Sequence, residues 1–388
     1  MVLSDFIKMS TSTNYIYLDN ASTTKIDDNV LSAIIPYMSE LYANYSSSHL
    51  MGRKVRNEID KAREQVANLI NADAKDIVFT SGATESINTI LKGVVSSQAN
   101  SNKSQIITIT TEHAAVLNTC RYLETIGLEV IYLPVLESGL LDLNTFKKTV
   151  SEKTLIVSVM LANNETGVIQ KIKEIAQIAN EYGALVMTDA TQAVGKIPID
   201  VKDLDVDFLV FSGHKFHAPK GIGGIYSKRD NKFLSLIHGG GQENFLRSGT
   251  LNTSGIIGIG KSCEISYKSM KGDIEYISKL RDRLESGLLA IEGTYLNGST
   301  EFRLHNITNI CFPNIEAEFL IGMLRTICVS NGSACHSELI EPSHVLTEMG
   351  LSNKDAFSSI RFSLSKYNTV EEIDYSITKI KEIVYNLK

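Results

Sequence analysis

A chain of 388 residues, 43% of them apolar, is long enough to bury a large core and to divide into two or three domains. Its 38 basic and 44 acidic residues leave a formal charge of −6, which excludes a strong overall positive field for nucleic acid or anionic lipid. The start, Met1 to Lys8, lacks the basic and apolar regions of a signal peptide, and no run approaches the roughly 18 apolar residues of a membrane span. The expected location is therefore the cytoplasm, with no membrane contact and no direct nucleic-acid partner.

From about residue 58, helical stripes alternate with short β-branched runs: helix over 58–70, strand over 76–80, helix over 85–95, strand over 106–110, helix over 116–126 and strand over 130–133. The Ser/Asn-rich stretch 96–105 reads as an exposed connection. Further strands are expected over 155–161, 185–188, 208–211 and 224–227, with a helix over 173–182. Alternation of this kind predicts an α/β fold with a mainly parallel sheet of about seven strands and helices on both faces. Beyond Gly260 a long helical stretch, a strand-like run over 302–312, a helix over 317–324 and a last helix over 370–387 predict a smaller α+β domain. The expected division is 26–262 for the large domain. The small domain takes 1–25 and 263–388.

The residues at the ends of the strands carry the chemistry. Asp189 closes one apolar run and Lys215 follows another; an acid that can hold a pyridine nitrogen protonated and an amine that can form a Schiff base are the minimal equipment for pyridoxal 5′-phosphate (PLP). Gly82, Ala83 and Thr84 lie between a strand and a helix, where free N–H groups suit a phosphate, and Ser212 and His214 offer two more donors; an ordinary glycine turn with an N-cap is the other reading. Asn164 sits in an Asn-rich segment that is either a simple turn or polar equipment at the carboxyl edge of the sheet. His113 is either a satisfied structural group or a ring lying over an aromatic cofactor. Arg361 is either a bidentate carboxylate clamp or an arginine packed along a domain surface.

Five scattered cysteines, Cys120, Cys263, Cys311, Cys328 and Cys335, are odd in number and argue against a disulfide framework. No C-x-x-C spacing suggests zinc, so no metal is expected. Four of them stand in apolar contexts and read as core. Cys335 is either a small buried hydrophobe or, among Gly332, Ser333 and Ser337 in a loop with little to pack, an exposed thiol that nearby cations such as His336 would have to activate.

Seven ordered motifs resemble the PLP-dependent cysteine desulfurases, members of the class-V aminotransferases with the aspartate-aminotransferase type fold (fold type I). They are Ser47 to Arg53, Thr80 to Glu85, Asn163 to Gly167, Asp189 to Gln192, Ser212 to Lys215, Arg247 to Thr250, and Gly332 to Cys335, within a match that runs from Tyr17 to Thr24 through to the Arg361 region. The loop of about 330–342 resembles the branch with the longer cysteine loop, and the chain departs from the usual pattern at Tyr45, where proline is common, and at Ala218, where glycine is common. The resemblance implies Lys215 as the Schiff-base lysine, Asp189 on the pyridine nitrogen, Gln192 on the ring oxygen and His113 stacked on the ring. It also implies Thr84, Ser212 and His214 on the phosphate, Thr250 on the phosphate of the other subunit of a homodimer, and Asn164 and Arg361 on the substrate carboxylate. Cys335 becomes the sulfur acceptor, with L-cysteine as substrate and an acceptor protein of iron–sulfur assembly or thiolation as partner. The competing reading is a PLP aminotransferase or β-lyase of the same fold that uses no protein thiol.

Overall fold

The computed structural model describes residues 15–98, 102–228, 233–332 and 341–387. The Met1–Lys8 segment, part of the connection over 96–105, and Cys335 therefore lie outside the described residues.

The strands are β1 (Ile16–Tyr17), β2 (Ile77–Thr80), β3 (Gln105–Ile109), β4 (Glu129–Leu133), β5 (Thr154–Ser158), β6 (Leu185–Asp189), β7 (Phe208–Ser212), β8 (Gly223–Ser227), β9 (Tyr295–Leu296), β10 (Ile307–Cys311), β11 (Ile327–Cys328) and β12 (Ser359–Ser363). Seven of them form one sheet in the order β2-β8-β7-β6-β5-β3-β4. Strand β8 is antiparallel to both neighbours and the remaining pairs are parallel, so β2, β3, β5, β6 and β7 all end at one edge. Their sequences explain the arrangement: QIITI, TLIVS and FLVFS are buried at every position, as strands covered by helices on both faces require. The covering helices show matching stripes. In Ile172–Glu181 the buried residues are Ile172, Ile175, Ala176 and Ala179.

The helix Thr253–Leu289 runs without a break through the position where the sequence places a domain boundary. Its first part puts Ile256, Ile259 and Cys263 into the core beside the large sheet; its last part puts Ile277, Leu280, Leu284 and Leu288 into a second core. Gly260 crosses the helix Leu50–Leu69 at Ala62, where a Cβ would collide with backbone and side chain alike. The second core lies beside a three-stranded antiparallel sheet, β12-β10-β9, and beside β1 paired in parallel with β11.

Three elements differ from the sequence reading. The helix Leu50–Leu69 starts well before residue 58, capped by His49, whose Nδ1 accepts the Gly52 N–H at 3.2 Å. The strand expected over 302–312 is confined to Ile307–Cys311, because Leu304 donates its N–H to Gly167 and the preceding stretch pairs with the turn at 163–169. Strand β12 was hidden by its charged centre: all five residues of SIRFS are buried, Arg361 included.

Candidate active site

Parallel pairing of β6 with β7 sets Asp189 opposite Val210, five residues before Lys215, so the carboxylate and the amine leave adjacent strands at the same edge. Both line one cavity of about 560 Å³. Gly82, Ala83, Thr84, His113, Asn164, Gln192, Ser212, His214 and Arg361 line it too.

At one end, the helix Ala83–Ser97 begins behind Gly82 (φ 155°, ψ 177°), a conformation that only glycine takes readily, and no side chain caps it. Its first N–H groups and the positive end of its dipole are left for an anion. The neighbouring Ser81 N–H is taken by Glu85, whose carboxylate is paired with Arg247 and held below its usual range by that guanidinium despite burial.

Asp189 is buried and uses Oδ1 to accept the Thr191 N–H at 2.9 Å, which leaves Oδ2 for a partner in the cavity. Lys215 Nζ donates to the carbonyls of Ala21 (2.8 Å) and Ser22 (2.7 Å). Gln192 accepts from Lys196 Nζ through Oε1 (2.7 Å) and donates from Nε2 to Ala21 O (2.8 Å). Lysine only donates, so this pair fixes the amide's orientation and leaves one Nε2 hydrogen for a further acceptor. Burial first, then the charges of Lys215 and Arg361, pushes Lys196 down to about 7.

His113 caps the helix Ala114–Thr125 by accepting the Ala115 N–H at Nδ1 (3.1 Å). That acceptor role puts the ring proton on Nε2. Burial, with Lys215 and His344 adding to it against the opposite pull of Asp189, lowers its pKa and keeps the ring neutral. His214 is pushed down to about 4 by burial and then by Lys215, so it too is neutral at pH 7. Arg361 spends three of its five N–H donors on Asn164 O (2.9 Å), Asp19 Oδ1 (2.7 Å) and Ser22 Oγ (2.6 Å), and its buried Nε has no partner.

The donor set fits PLP: an uncapped helix N-terminus for the phosphate, a carboxylate with an open oxygen for the pyridine nitrogen, and a lysine lining the same cavity. The class-V aminotransferase family matches residues 16–375. The chain belongs to this family, in its cysteine desulfurase branch. It is 46% identical over 378 residues to the cysteine desulfurase IscS of Mannheimia succiniciproducens, covering 96% of this chain and 93% of that protein. Its fold is similar to a solved NifS-like protein at TM-score 0.90 and 41% identity, over 96% of this chain and all of that one. It is also similar to SspA solved in complex with cysteine, at TM-score 0.81 and 34% identity, over 91% of this chain and all of that one. The α/β fold with a mainly parallel sheet expected from the alternation of elements, and the fold type I that the resemblance implied, are the fold found.

Among these desulfurases the chain's two departures are accommodated locally. Tyr45 has its carbonyl held by both Nε and Nη2 of Arg56 (3.0 and 2.9 Å), which fixes the loop without a proline. At Ala218 the positive φ falls on the preceding His217 (71°) instead, a conformation that alanine is spared. Thr250 is exposed and is not among the residues lining the cavity. The four described cysteines have their thiols pushed up by burial, Cys120 to about 12.

Sequence reasoning missed Glu112, Glu165 and Lys196. Glu112 is fully buried, one oxygen accepting the Met160 N–H and the other without a partner, and burial with the nearby Asp189 raises its pKa well above the usual range. The only signal was its place between Thr111 and His113, a polar residue directly after an apolar strand.

Histidines away from the cavity give a testable pH dependence. Burial holds His217 near about 4 and His305 near about 3, both below the unfolded value of 6.5. The unfolded chain then binds more protons in that window, so the stability these neutral rings contribute is present above about pH 6.5 and is lost as pH falls toward 4. Urea midpoints should fall steadily between pH 7.5 and pH 5; a flat profile would contradict it.

Proposed function

We propose that the chain converts L-cysteine to L-alanine and passes the sulfur, through a persulfide on Cys335, to an acceptor protein of iron–sulfur assembly or thiolation. The supporting observation is that Lys215 and Asp189, distant in sequence, wall one cavity with a bare helix N-terminus at one end and a buried arginine at another.

Lys215 would bind PLP, Asp189 would hold its pyridine nitrogen, and Gly82, Ala83, Thr84, Ser212 and His214 its phosphate; the group would supply the electron sink for breaking the bond from Cα to hydrogen. Gln192 would serve the ring oxygen and His113 the ring. The substrate carboxylate takes Arg361 and Asn164. Lys215 Nζ, with His113 as the alternative base, removes and returns the proton at Cα. The Cys335 thiolate attacks the substrate sulfur, the carbon–sulfur bonding pair stays with the carbon skeleton, and protonation there gives alanine while Cys335 keeps the sulfur. The other four thiols are held protonated by burial and are poor nucleophiles.

The functional unit is a homodimer in which Thr250 serves the phosphate of the second copy. Thr250 stands on the connection that also presents Phe245, 73% exposed and the last of three consecutive left-handed residues that begin at Glu243. That strained turn is held by the Glu243 carboxylate on Arg63 and the Phe79 N–H. The site of action is the cytoplasm; among the described residues no helix is long and apolar enough to cross a membrane.

The deciding experiment is to incubate the purified holoenzyme with L-cysteine and map added sulfur by mass spectrometry. One extra sulfur on the Cys335 peptide with alanine in equal amount supports the proposal; alanine and free sulfide with no sulfur on any cysteine overturns it in favour of chemistry without a protein thiol. Arg361→Lys keeps the charge and loses the fork that holds Asp19, Ser22 and Asn164 in place. A charged hydrogen bond is worth about 1.5–3 kcal/mol, so KM for cysteine should rise ~10- to 100-fold, with a smaller change in kcat.

A further inference from the structure

The connection carrying Cys335 leaves the described structure at Gly332 and returns at Glu341. Its two feet meet at one side chain. A Cβ on Gly332, which has φ 86°, would collide with the Glu165 carboxylate. On the other side Ser343 donates its hydroxyl to Glu165 Oε2 at 2.5 Å and accepts the Leu346 N–H at 3.2 Å, starting the helix His344–Glu348. Glu165 and Ser343 are each 3% exposed.

The carboxylate is itself built into the edge of the sheet. Asn163 Oδ1 accepts the Glu165 N–H (2.8 Å), and Asn163 Nδ2 donates to Thr111 O (3.1 Å), two residues before His113. Each foot is also tied to the site through another contact. Ser330 exchanges backbone hydrogen bonds with Arg361, and the His344 ring meets Glu112 O at 3.0 Å. The carboxylate is in direct reach of both feet, and neither of those ties replaces it.

We propose that Glu165 is a positioning residue for sulfur transfer: it ties Gly332 to Ser343 and so fixes where the Cys335 connection starts and ends relative to the substrate. The inference rests on the desulfurase reading above. Removing the carboxylate leaves the Ser343 hydroxyl without its acceptor and opens space at Gly332, so both feet loosen while the cofactor residues keep their own partners. Glutamine keeps an oxygen for Ser343 and nearly the same volume.

The test compares Glu165→Ala, Glu165→Gln and Ser343→Ala holoenzymes by amide hydrogen exchange and by single-turnover arrival of sulfur on Cys335. In Glu165→Ala, exchange across residues 341–351 should speed up about tenfold or more, since it reports local opening. Sulfur arrival should fall ~100-fold, the cost of a misplacement of about 1 Å, while KM for cysteine and the absorption of the bound cofactor stay within about twofold. Glu165→Gln should restore both readouts to within about threefold of wild type, as a retained acceptor requires. Ser343→Ala should reproduce the exchange change, and decides the matter if Glu165→Ala does not fold. Unchanged exchange overturns the tie, and faster exchange with sulfur arriving at the wild-type rate overturns the positioning role. Sulfur transfer surviving in Cys335→Ser would instead sink the persulfide reading, leaving the exchange result to judge the tie by itself.

Discussion

Lys215→Ala should leave a folded protein that turns over cysteine at less than about one thousandth of the wild-type rate, because one substitution removes the residue proposed both as the covalent attachment point and as the leading base. Little else should change. Nζ lines a cavity, and its two acceptors, Ala21 O and Ser22 O, are reachable by water once the amine is gone, so the melting temperature should move by only a few degrees. The electrostatic consequence is specific. Lys215 is the largest charge pushing the His214 pKa down and is also among those lowering His113 and Lys196. In the variant all three should titrate at higher pH than in the wild type, by NMR on the protein without cofactor, whereas His217, whose depression owes nothing to Lys215, should stay where it is. Alanine formation above about a tenth of the wild-type rate would mean that another residue carries the proton at Cα.

What could be read from the sequence follows from where strand ends fall. Apolar runs identify buried parallel strands, and parallel strands deliver the residues after them to one edge, so Lys215, Asp189, Asn164, His113 and the turn at Gly82 were all legible as neighbours. Arg361 was visible as a candidate only because apolar residues flank it; its strand was not, since a buried charge breaks the pattern by which buried strands are recognised. What makes Arg361 tolerable in the interior is Asp19, 342 positions earlier, and no local rule reports such a partner. Glu165 stayed hidden for the same reason, as its partners Gly332 and Ser343 lie far along the chain. Nothing in the sequence singled out Lys196, whose ammonium is held by Gln192 from the cavity wall. Thr250 was legible from resemblance alone, since it is exposed and lies outside the cavity's lining.

Cys335→Ser should cut sulfur delivery to an acceptor at least ~1,000-fold in a single turnover, since a hydroxyl does not replace a thiolate as nucleophile toward sulfur. The size of the effect depends on whether another thiol can stand in. Cys120, Cys263 and Cys311 are buried, and a thiol held near a pKa of about 12 is ionised to only about one part in 100,000 at pH 7. Cys328 is half-buried on β11 with its pKa raised by burial and by Asp19, and its strand is pinned to β1, so it is held in place as well as protonated. An ordinary exposed thiol, with a pKa of about 8.5, is thousands of times better supplied with thiolate than Cys120. Because serine leaves the cavity untouched, the variant should keep the cofactor's absorption and its affinity for cysteine. Delivery at the wild-type rate, or a persulfide found on Cys328, would move the sulfur's route to another part of the fold and leave the loop beyond Gly332 without the role argued for it.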